Sequence, residues 1–221
     1  VFKENNIYAS NFQPKNLINT PLSNFLYEEK STVPYVNQED LINAMSDSMF
    51  LENKYNFIYY PNIDVSAHVF GINSEEWINE IKIFEELVKK ITELSNKKSY
   101  TVISADHGLT NVPKENRFHI TYNENIKIYG DQRSVYINGS KKEIIEAFFN
   151  VPGKLIGRSE LNHLLPVPEN DFIESLYPDF CFLVEDKNII YPHHLKTELA
   201  GYHGGLSTEE IKIPIIEISN F

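Results

Sequence analysis

The sequence predicts an α/β fold in which a mostly parallel sheet is flanked by helices. Two short apolar runs, at residues 56–60 and 100–104, have the composition of strands, and apolar residues at helical spacing lie between them. Strand, helix and strand in this order are typical of parallel strands joined by a right-handed crossover. A chain of 221 residues that is 42% hydrophobic is long enough to bury such a core.

The elements of the first half follow in order. Residues 1–38 are rich in Asn, Pro and Ser, and we predict that they are irregular. Acidic residues open a predicted helix at residues 39–52. The strand at residues 56–60 stops at Pro61, and a long helix is expected from Ser74, since acidic residues fill its first turn.

The second half predicts a smaller α+β lobe inserted beside the main sheet. Residues 111–128 have the composition of loops and short strands, and two strands and two helices are then predicted at 133–137, 155–158, 141–149 and 159–165. We therefore predict a core at residues 1–110 and 171–221 and a lobe at residues 111–170.

Two features are predicted where the chain returns to the core. A hairpin around Asp186 is expected to join strands at residues 180–185 and 188–191. A final strand is expected at residues 211–218, where Pro214 indicates a sheet edge or the start of the strand.

Composition excludes several classes of partner. The formal net charge is −11 and the chain has three arginines, so a surface that coats nucleic acid is not expected. No apolar run approaches the roughly 20 residues of a membrane span.

The single cysteine, Cys181, lies in an apolar strand and is predicted to be a core residue. With no visible secretory signal, these features favour the cytoplasm.

Three short runs place aspartate and histidine at predicted strand ends or among glycines. Asp64 and His68 follow the first strand, Asp106 and His107 follow the second, and His203 lies in a glycine-rich run. The carboxyl ends of parallel strands form one edge of a sheet, where ligands bind. Carboxylates and imidazoles bind divalent metals, and paired metals cleave phosphate esters. Together the runs predict a metal site.

Each run alone has a simpler explanation. Asp64 could be a surface carboxylate near an unrelated histidine, and Asp106 could cap a turn at the end of a strand. Tight turns explain the glycines around His203, although they do not explain a histidine held between them. The presence of all three runs, two of them at predicted strand ends, favours the metal site over coincidence.

The three runs resemble the type I phosphodiesterase/nucleotide pyrophosphatase branch of the alkaline phosphatase superfamily. The resemblance depends on Tyr-x-Pro-x-x-Asp-x-x-x-His at residues 59–68, Ser-Ala-Asp-His-Gly at 104–108 and Gly-x-His-Gly-Gly at 201–205, followed by Glu209, Glu210, Ile213 and Pro214. It covers residues 56–218 in order and implies an alkaline-phosphatase-like fold.

The resemblance also implies two divalent metals, zinc in the first place, with manganese or magnesium as alternatives. One metal would be bound by Asp64, His68 and His203. The other would be bound by Asp106 and His107, together with a further Asp and a Thr or Ser nucleophile. The implied partner is a small phosphorylated substrate, such as a nucleotide or a phosphodiester, hydrolysed through a phospho-enzyme.

The chain departs from the family pattern at the nucleophile. Its first aspartate, Asp40, lies in a predicted helix, and no apolar strand ending in Asp precedes Thr20, which we predict to be a turn residue. We therefore expect the nucleophile and the amino-terminal part of the domain to lie outside the chain. The chain alone would then be inactive, and no catalytic residue is assigned within it.

Weaker candidates lie elsewhere. Arg133 is a candidate phosphate contact, because Gly-x-x-Arg before a strand resembles a family stretch, and a surface ion pair is the simpler alternative. His193 and His194 are candidate ligands, with polar loop residues as the simpler alternative. His119 and His163 are predicted to be structural.

Several functions remain open at this point. The first hypothesis is a metal-dependent phosphodiesterase or nucleotide pyrophosphatase. A phosphomonoesterase, a phosphonate hydrolase and a phosphoglycerate-mutase-like enzyme would use a related site. A non-catalytic metal-binding fragment and an α/β module with incidental Asp and His residues are the alternatives without enzymatic activity.

Overall fold

The structure is a computed structural model that describes residues 2–27, 31–48, 54–94, 99–192 and 199–220. Its helices are α1 (Pro21–Leu26), α2 (Gln38–Ser48), α3 (Asn62–Phe70), α4 (Glu75–Leu94), α5 (Lys141–Phe148), α6 (Arg158–Leu164), α7 (Asp171–Leu176) and α8 (Thr208–Ile211). Its first strands are β1 (Tyr8–Pro14), β2 (Thr32–Tyr35), β3 (Lys54–Ile58), β4 (Ser99–Ser104), β5 (Thr110–Asn111), β6 (Arg117–Ile120) and β7 (Lys127–Gly130). The remaining strands are β8 (Ser134–Asn138), β9 (Gly153–Gly157), β10 (Phe180–Val184), β11 (Ile189–Pro192), β12 (Gly201–Tyr202) and β13 (Ile215–Asn220).

The chain divides into two compact units. Unit 1 contains Val1–Val65, Glu75–Ile103 and Ile216–Phe221, and unit 2 contains Ser66–Ser74 and Ser104–Ile215. The predicted division into a core and a lobe at residues 111–170 stays a prediction.

Unit 1 is built on a parallel sheet with the strand order β2-β1-β3. Phe12 on the central strand β1 pairs with Val33 of β2 and Ile58 of β3. It packs in one cluster with apolar residues of α2 and α4, among them Leu41 and Leu87. The two helices therefore bury the face of the sheet that carries Phe12, as expected for a parallel sheet.

The prediction of irregular structure over residues 1–38 was wrong, because β1, α1 and β2 all lie there. The strand β1 escaped recognition because Asn11 and Gln13 occupy buried positions on it, so the apolar alternation of a strand is missing. Pairing on both sides defines this strand instead. Thr20 is not a simple turn residue, since its hydroxyl caps α1 by accepting from the Ser23 amide.

The four elements predicted at residues 39–104 are present where the structure describes them, with small shifts of their bounds. The helix α3 was not among them, and the predicted pairing of the strands was wrong. The strands at residues 56–60 and 100–104 are β3 and β4, and they were expected to pair with each other. Among the described residues, β3 pairs instead with β1 and β4 pairs with β13. Apolar patterns indicate where strands lie but not which strands pair. Since β1 was not among the predicted strands, its pairing with β3 could not be predicted.

Unit 2 contains an antiparallel sheet with the order β7-β8-β10-β9. Its core joins Ile137 on β8 and Phe182 on β10 to Ile144 and Phe148 on α5. The predicted hairpin of residues 180–191 is wrong, because β10 pairs with β8 and β9 whereas β11 pairs in parallel with β6. The chain is redirected between β10 and β11, where Asp186 has a φ of 50° and two carbonyls accept hydrogen bonds from Arg133.

The predicted strand at residues 211–218 begins later than expected. Ile211 ends the short helix α8, and β13 starts directly after Pro214. The interpretation of this proline as the start of the strand is therefore correct. No helix in the described ranges is long and apolar enough to cross a membrane.

The prediction that Cys181 is a core residue is confirmed. Its side chain lies on β10 and packs with Ile156 and Leu161. Burial raises the pKa of the thiol to about 12, so almost no thiolate is present at neutral pH.

We therefore expect iodoacetamide at pH 8 to leave Cys181 unmodified in the folded chain and to alkylate it in concentrated urea. Mass spectrometry of the two reactions measures the difference. Equal alkylation rates in the two solutions would contradict the buried position.

Candidate metal centre

Three histidines of unit 2 lie side by side. His68 is on the last turn of α3, His107 is in the loop after β4, and His203 directly follows β12. The ring centroids of His107 and His203 are 3.6 Å apart with an interplanar angle of 19°, and those of His68 and His203 are 5.2 Å apart. The structure thus brings together one histidine from each of the three runs.

The two predicted carboxylates are placed differently. Asp106 Oδ1 lies 3.8 Å from His107 Nε2, and its side chain is largely exposed. Asp64 lies in the first turn of α3, one helical turn before His68, and belongs to unit 1. The assignment of Asp64 as a ligand stays a prediction.

The Nδ1 atoms of these histidines face acceptors of the protein. His68 Nδ1 lies 2.8 Å from the Gly201 carbonyl oxygen, and His107 Nδ1 lies 3.1 Å from that of Gly108. A carbonyl oxygen can only accept, so each Nδ1 carries the proton. In the neutral ring the lone pair is then on Nε2, and metal-binding histidines have the same tautomer.

The backbone holds His68 next to the glycine-rich run. The Ala200 amide donates to the His68 carbonyl at 2.7 Å. A Cβ on Gly201 would lie 2.4 Å from the Ala67 carbonyl oxygen, so only glycine allows β12 to approach α3 this closely. These contacts fix His68 and His203 relative to each other.

The loop that carries His107 rests on α8. The Gly108 amide donates to the Glu210 carbonyl at 2.7 Å, and a Cβ on Gly108 would lie 2.0 Å from the Glu209 carbonyl oxygen. Backbone therefore packs directly on backbone at this position, and this contact sets where His107 lies.

Tyr202 supports His203 from the core of unit 2. Its ring is buried with Val112 and Ile189, and its hydroxyl hydrogen-bonds that of Tyr191. Burial, followed by the hydrogen bond to Tyr191, raises the pKa of Tyr202, so this residue stays a neutral packing group.

Arg133 is buried, with 1% of its surface exposed. Its Nε and Nη2 donate to Glu210 at 2.6 and 2.8 Å, and Nη1 and Nη2 donate to the carbonyls of Asn188 and Asp186 at 2.6 and 2.9 Å. A substrate contact requires an accessible guanidinium, so this placement does not fit the predicted phosphate contact. The alternative of a surface ion pair does not fit either, because the ion pair is internal.

Glu210 is held as a carboxylate by its partners. Burial alone would raise the pKa of Glu210, but hydrogen bonds from Arg133, Ser207 and Gly205 outweigh burial and lower it. A charge-assisted, bidentate pair of this kind is among the strongest polar contacts in proteins.

Two residues near the histidines were not predicted as site residues from the sequence. Asp131 lies with its Oδ2 3.8 Å from His203 Nδ1, and Glu210 was noted only as part of the family resemblance. The Gly-Asp-Gln-Arg stretch at residues 130–133 contained the signal, but it drew attention to Arg133 rather than to Asp131.

The remaining histidines do not join this group where they are described. His119 stacks on Tyr191 with centroids 5.5 Å apart, and His163 lies in the last turn of α6. His193 and His194 lie outside the described residues.

The side chains at this site are of the types that bind divalent metals. Their positions do not form a coordination sphere. Within the described residues, no three His, Cys, Asp or Glu side chains are arranged closely enough to hold a metal ion together. The three imidazoles nevertheless lie in one small region, two of them with Nδ1 facing a carbonyl, and carboxylates are close by in the sequence. These residues are therefore compatible with metal binding.

Solved structures share the fold of this chain. The inactive variant of murine ectonucleotide pyrophosphatase/phosphodiesterase 5, in complex with AMP, aligns with a TM-score of 0.69 at 14% identity and covers 96% of this chain and 60% of that chain. The human protein aligns with a TM-score of 0.70 at 13% identity, covering 98% of this chain and 61% of that chain. Phosphonoacetate hydrolase from Sinorhizobium meliloti 1021, in complex with phosphonoacetate, aligns with a TM-score of 0.67 at 13% identity. The alignment covers 98% of this chain and 66% of that chain.

These alignments confirm the predicted alkaline-phosphatase-like α/β fold, and the chain spans about 60% of the length of the first two solved structures. No curated protein matches the chain. The sequence pattern of the type I phosphodiesterase/nucleotide pyrophosphatase family matches residues 18–153, which is more than half of the 221 residues. The chain therefore belongs to the type I phosphodiesterase/nucleotide pyrophosphatase family.

Proposed function

We propose that this chain is the metal-binding part of a phosphodiesterase or nucleotide pyrophosphatase that hydrolyses small phosphate esters with two divalent metals. The observation that carries the proposal is the cluster of His68, His107 and His203, in which the Nδ1 atoms of His68 and His107 are bound to carbonyls. Family membership supports the reaction class.

The proposed ligands keep the two sets that the family resemblance implies. Asp64, His68 and His203 would hold one ion, and Asp106 and His107 would contribute to the second. When bound, such ions neutralise charge on the attacking and leaving oxygens of a phosphate ester, and zinc is the first candidate.

The residues of this chain would prepare the site. The carbonyls of Gly201 and Gly108 keep Nδ1 protonated and orient the two imidazoles. The proposal assigns the Thr or Ser nucleophile of the phospho-enzyme to a part of the enzyme outside this chain. Thr20 is not proposed for that role, since its hydroxyl accepts from the Ser23 amide and donates to Ser23 Oγ.

Zinc binding by the 221-residue chain tests the proposal. We expect His203→Ala to weaken zinc binding by more than about 10-fold in competition with a chromophoric chelator, because a ligand is lost. His163→Ala, on α6, is the matched control and should bind zinc like the unmodified chain. An unchanged affinity in His203→Ala would favour an α/β module with incidental histidines.

Turnover distinguishes the remaining alternatives. We expect the chain alone, loaded with zinc, not to hydrolyse a nitrophenyl phosphodiester, and hydrolysis would contradict the assignment of the nucleophile outside the chain. Phosphonate hydrolysis is the second candidate, because phosphonoacetate hydrolase shares the fold. An enzyme that also contains the nucleophile should prefer the phosphodiester to phosphonoacetate, and the opposite preference would favour the second candidate.

A further inference from the structure

We infer that Asp131 is a positioning residue that orients His203 for metal binding by placing its carboxylate beside the Nδ1 atom of the ring. The inference rests on the proposed function, since it concerns a proposed ligand. Asp131 lies in the turn between β7 and β8, outside the three runs that define the family resemblance.

The two carboxylate oxygens of Asp131 make different contacts. Its Oδ1 accepts from the Gln132 amide at 2.7 Å, which holds the side chain in the turn. Its Oδ2 lies 3.8 Å from His203 Nδ1, within the range of an ion pair. The first contact fixes the side chain, and the second directs a charged acceptor at the ring.

The turn and the glycine-rich run pack too closely for Asp131 to move away. Gly204 has a φ of 99°, and a Cβ there would lie 2.9 Å from Asp131 Cβ. The Ser134 hydroxyl also donates to the Gly204 carbonyl, which ties the end of the same turn to the residue after His203. Arg133 then anchors the turn in the core through Glu210.

The three histidines follow one rule with this assignment. His68 and His107 direct Nδ1 at backbone carbonyls, and His203 directs Nδ1 at a carboxylate. Nε2 is the nitrogen through which each ring would bind a metal. A carboxylate partner fixes the tautomer and raises the basicity of the ligand more than a neutral carbonyl does.

Asp131→Asn is the decisive variant, because its amide oxygen can keep the bond to the Gln132 amide. The NH₂ group would then face His203 and could not accept from Nδ1–H. We expect zinc affinity to fall by about 10-fold or more, as for other residues that support a metal ligand. Long-range ¹H–¹⁵N spectra of the metal-free chain should show His203 moving toward the Nε2–H tautomer, which a merely structural change would not produce.

Asp131→Ala should weaken zinc binding to a similar extent, and Asp171→Ala, in the first turn of α7, is the control expected to change neither measurement. Zinc affinity within twofold of the unmodified chain and an unchanged His203 tautomer in Asp131→Asn would overturn the inference. If His203→Ala reduces zinc binding in the same assay, only the role of Asp131 fails. If His203→Ala has no effect, the proposed metal site fails as well, and the inference with it.

Discussion

Glu210→Gln is expected to lower the free energy of unfolding by about 3–5 kcal/mol, because it leaves the guanidinium of Arg133 buried without its counter-charge. Both side chains of the pair are 1% exposed, so water cannot replace the lost carboxylate. The same change also weakens the acceptors for the Gly205 and Ser207 amides. Urea unfolding followed by circular dichroism measures the loss.

Two controls separate the effect of burial from the loss of an ion pair. Glu174→Gln removes the partner of Arg158, whose ion pair is 34% and 56% exposed, and should cost less than about 1 kcal/mol. The double variant Arg133→Met, Glu210→Leu removes both charges and should recover much of the stability lost in Glu210→Gln. If Glu210→Gln cost no more than Glu174→Gln, the buried pair would not stabilise the fold as described.

Gly108→Ala is expected to destabilise the chain by about 1–3 kcal/mol or more, because the new methyl group overlaps backbone that cannot rotate away. The added Cβ would lie 2.0 Å from the Glu209 carbonyl oxygen, so the loop or α8 must move. Since His107 precedes this glycine, we also expect weaker zinc binding than in the unmodified chain. Thermal unfolding and the chelator competition measure the two effects.

Gly157→Ala is the matched control for this substitution. Its Cβ would meet only Phe180 ring atoms, at 3.8 Å and beyond, which is ordinary van der Waals contact. Gly157 is the N-cap of α6, where glycine is preferred to alanine, so we expect a loss below about 1 kcal/mol and smaller than that of Gly108→Ala. Equal stability of Gly108→Ala and Gly157→Ala would contradict the tight contact of the His107 loop with α8.

The sequence was most informative where side-chain pattern alone decides structure. The helix α4 was predictable because its apolar periodicity marks the face that contains the buried Leu87 and Ile91. The strand β4 was predictable from its apolar composition, although Tyr100 and Val102 are exposed. The strand β1 was not, because Asn11 and Gln13 occupy its buried positions. The pairing of β4 with β13 was also out of reach, since it depends on segments more than a hundred residues apart.

The residues of the candidate site could likewise be predicted from the sequence only in part. His68, His107 and His203 could be selected because histidine beside glycine or at a strand end is an unusual pattern. The burial of Arg133 could not be predicted, because its acceptors on Asp186, Asn188 and Glu210 come from distant parts of the chain. Asp131 was overlooked for a related reason, since a carboxylate in a turn is ordinary until the fold places a histidine beside it.

The contacts of Arg133 also bear on how unit 2 folds. Its guanidinium joins residues that are 55 and 77 positions further along the chain, so these bonds form only after long loops have closed. We expect these bonds to be absent from the folding transition state, so that their loss accelerates unfolding more than it slows folding. The hydrogen bonds of Arg133 would thus set the unfolding rate of unit 2, and with it the lifetime of the native arrangement of the histidines, rather than the folding rate.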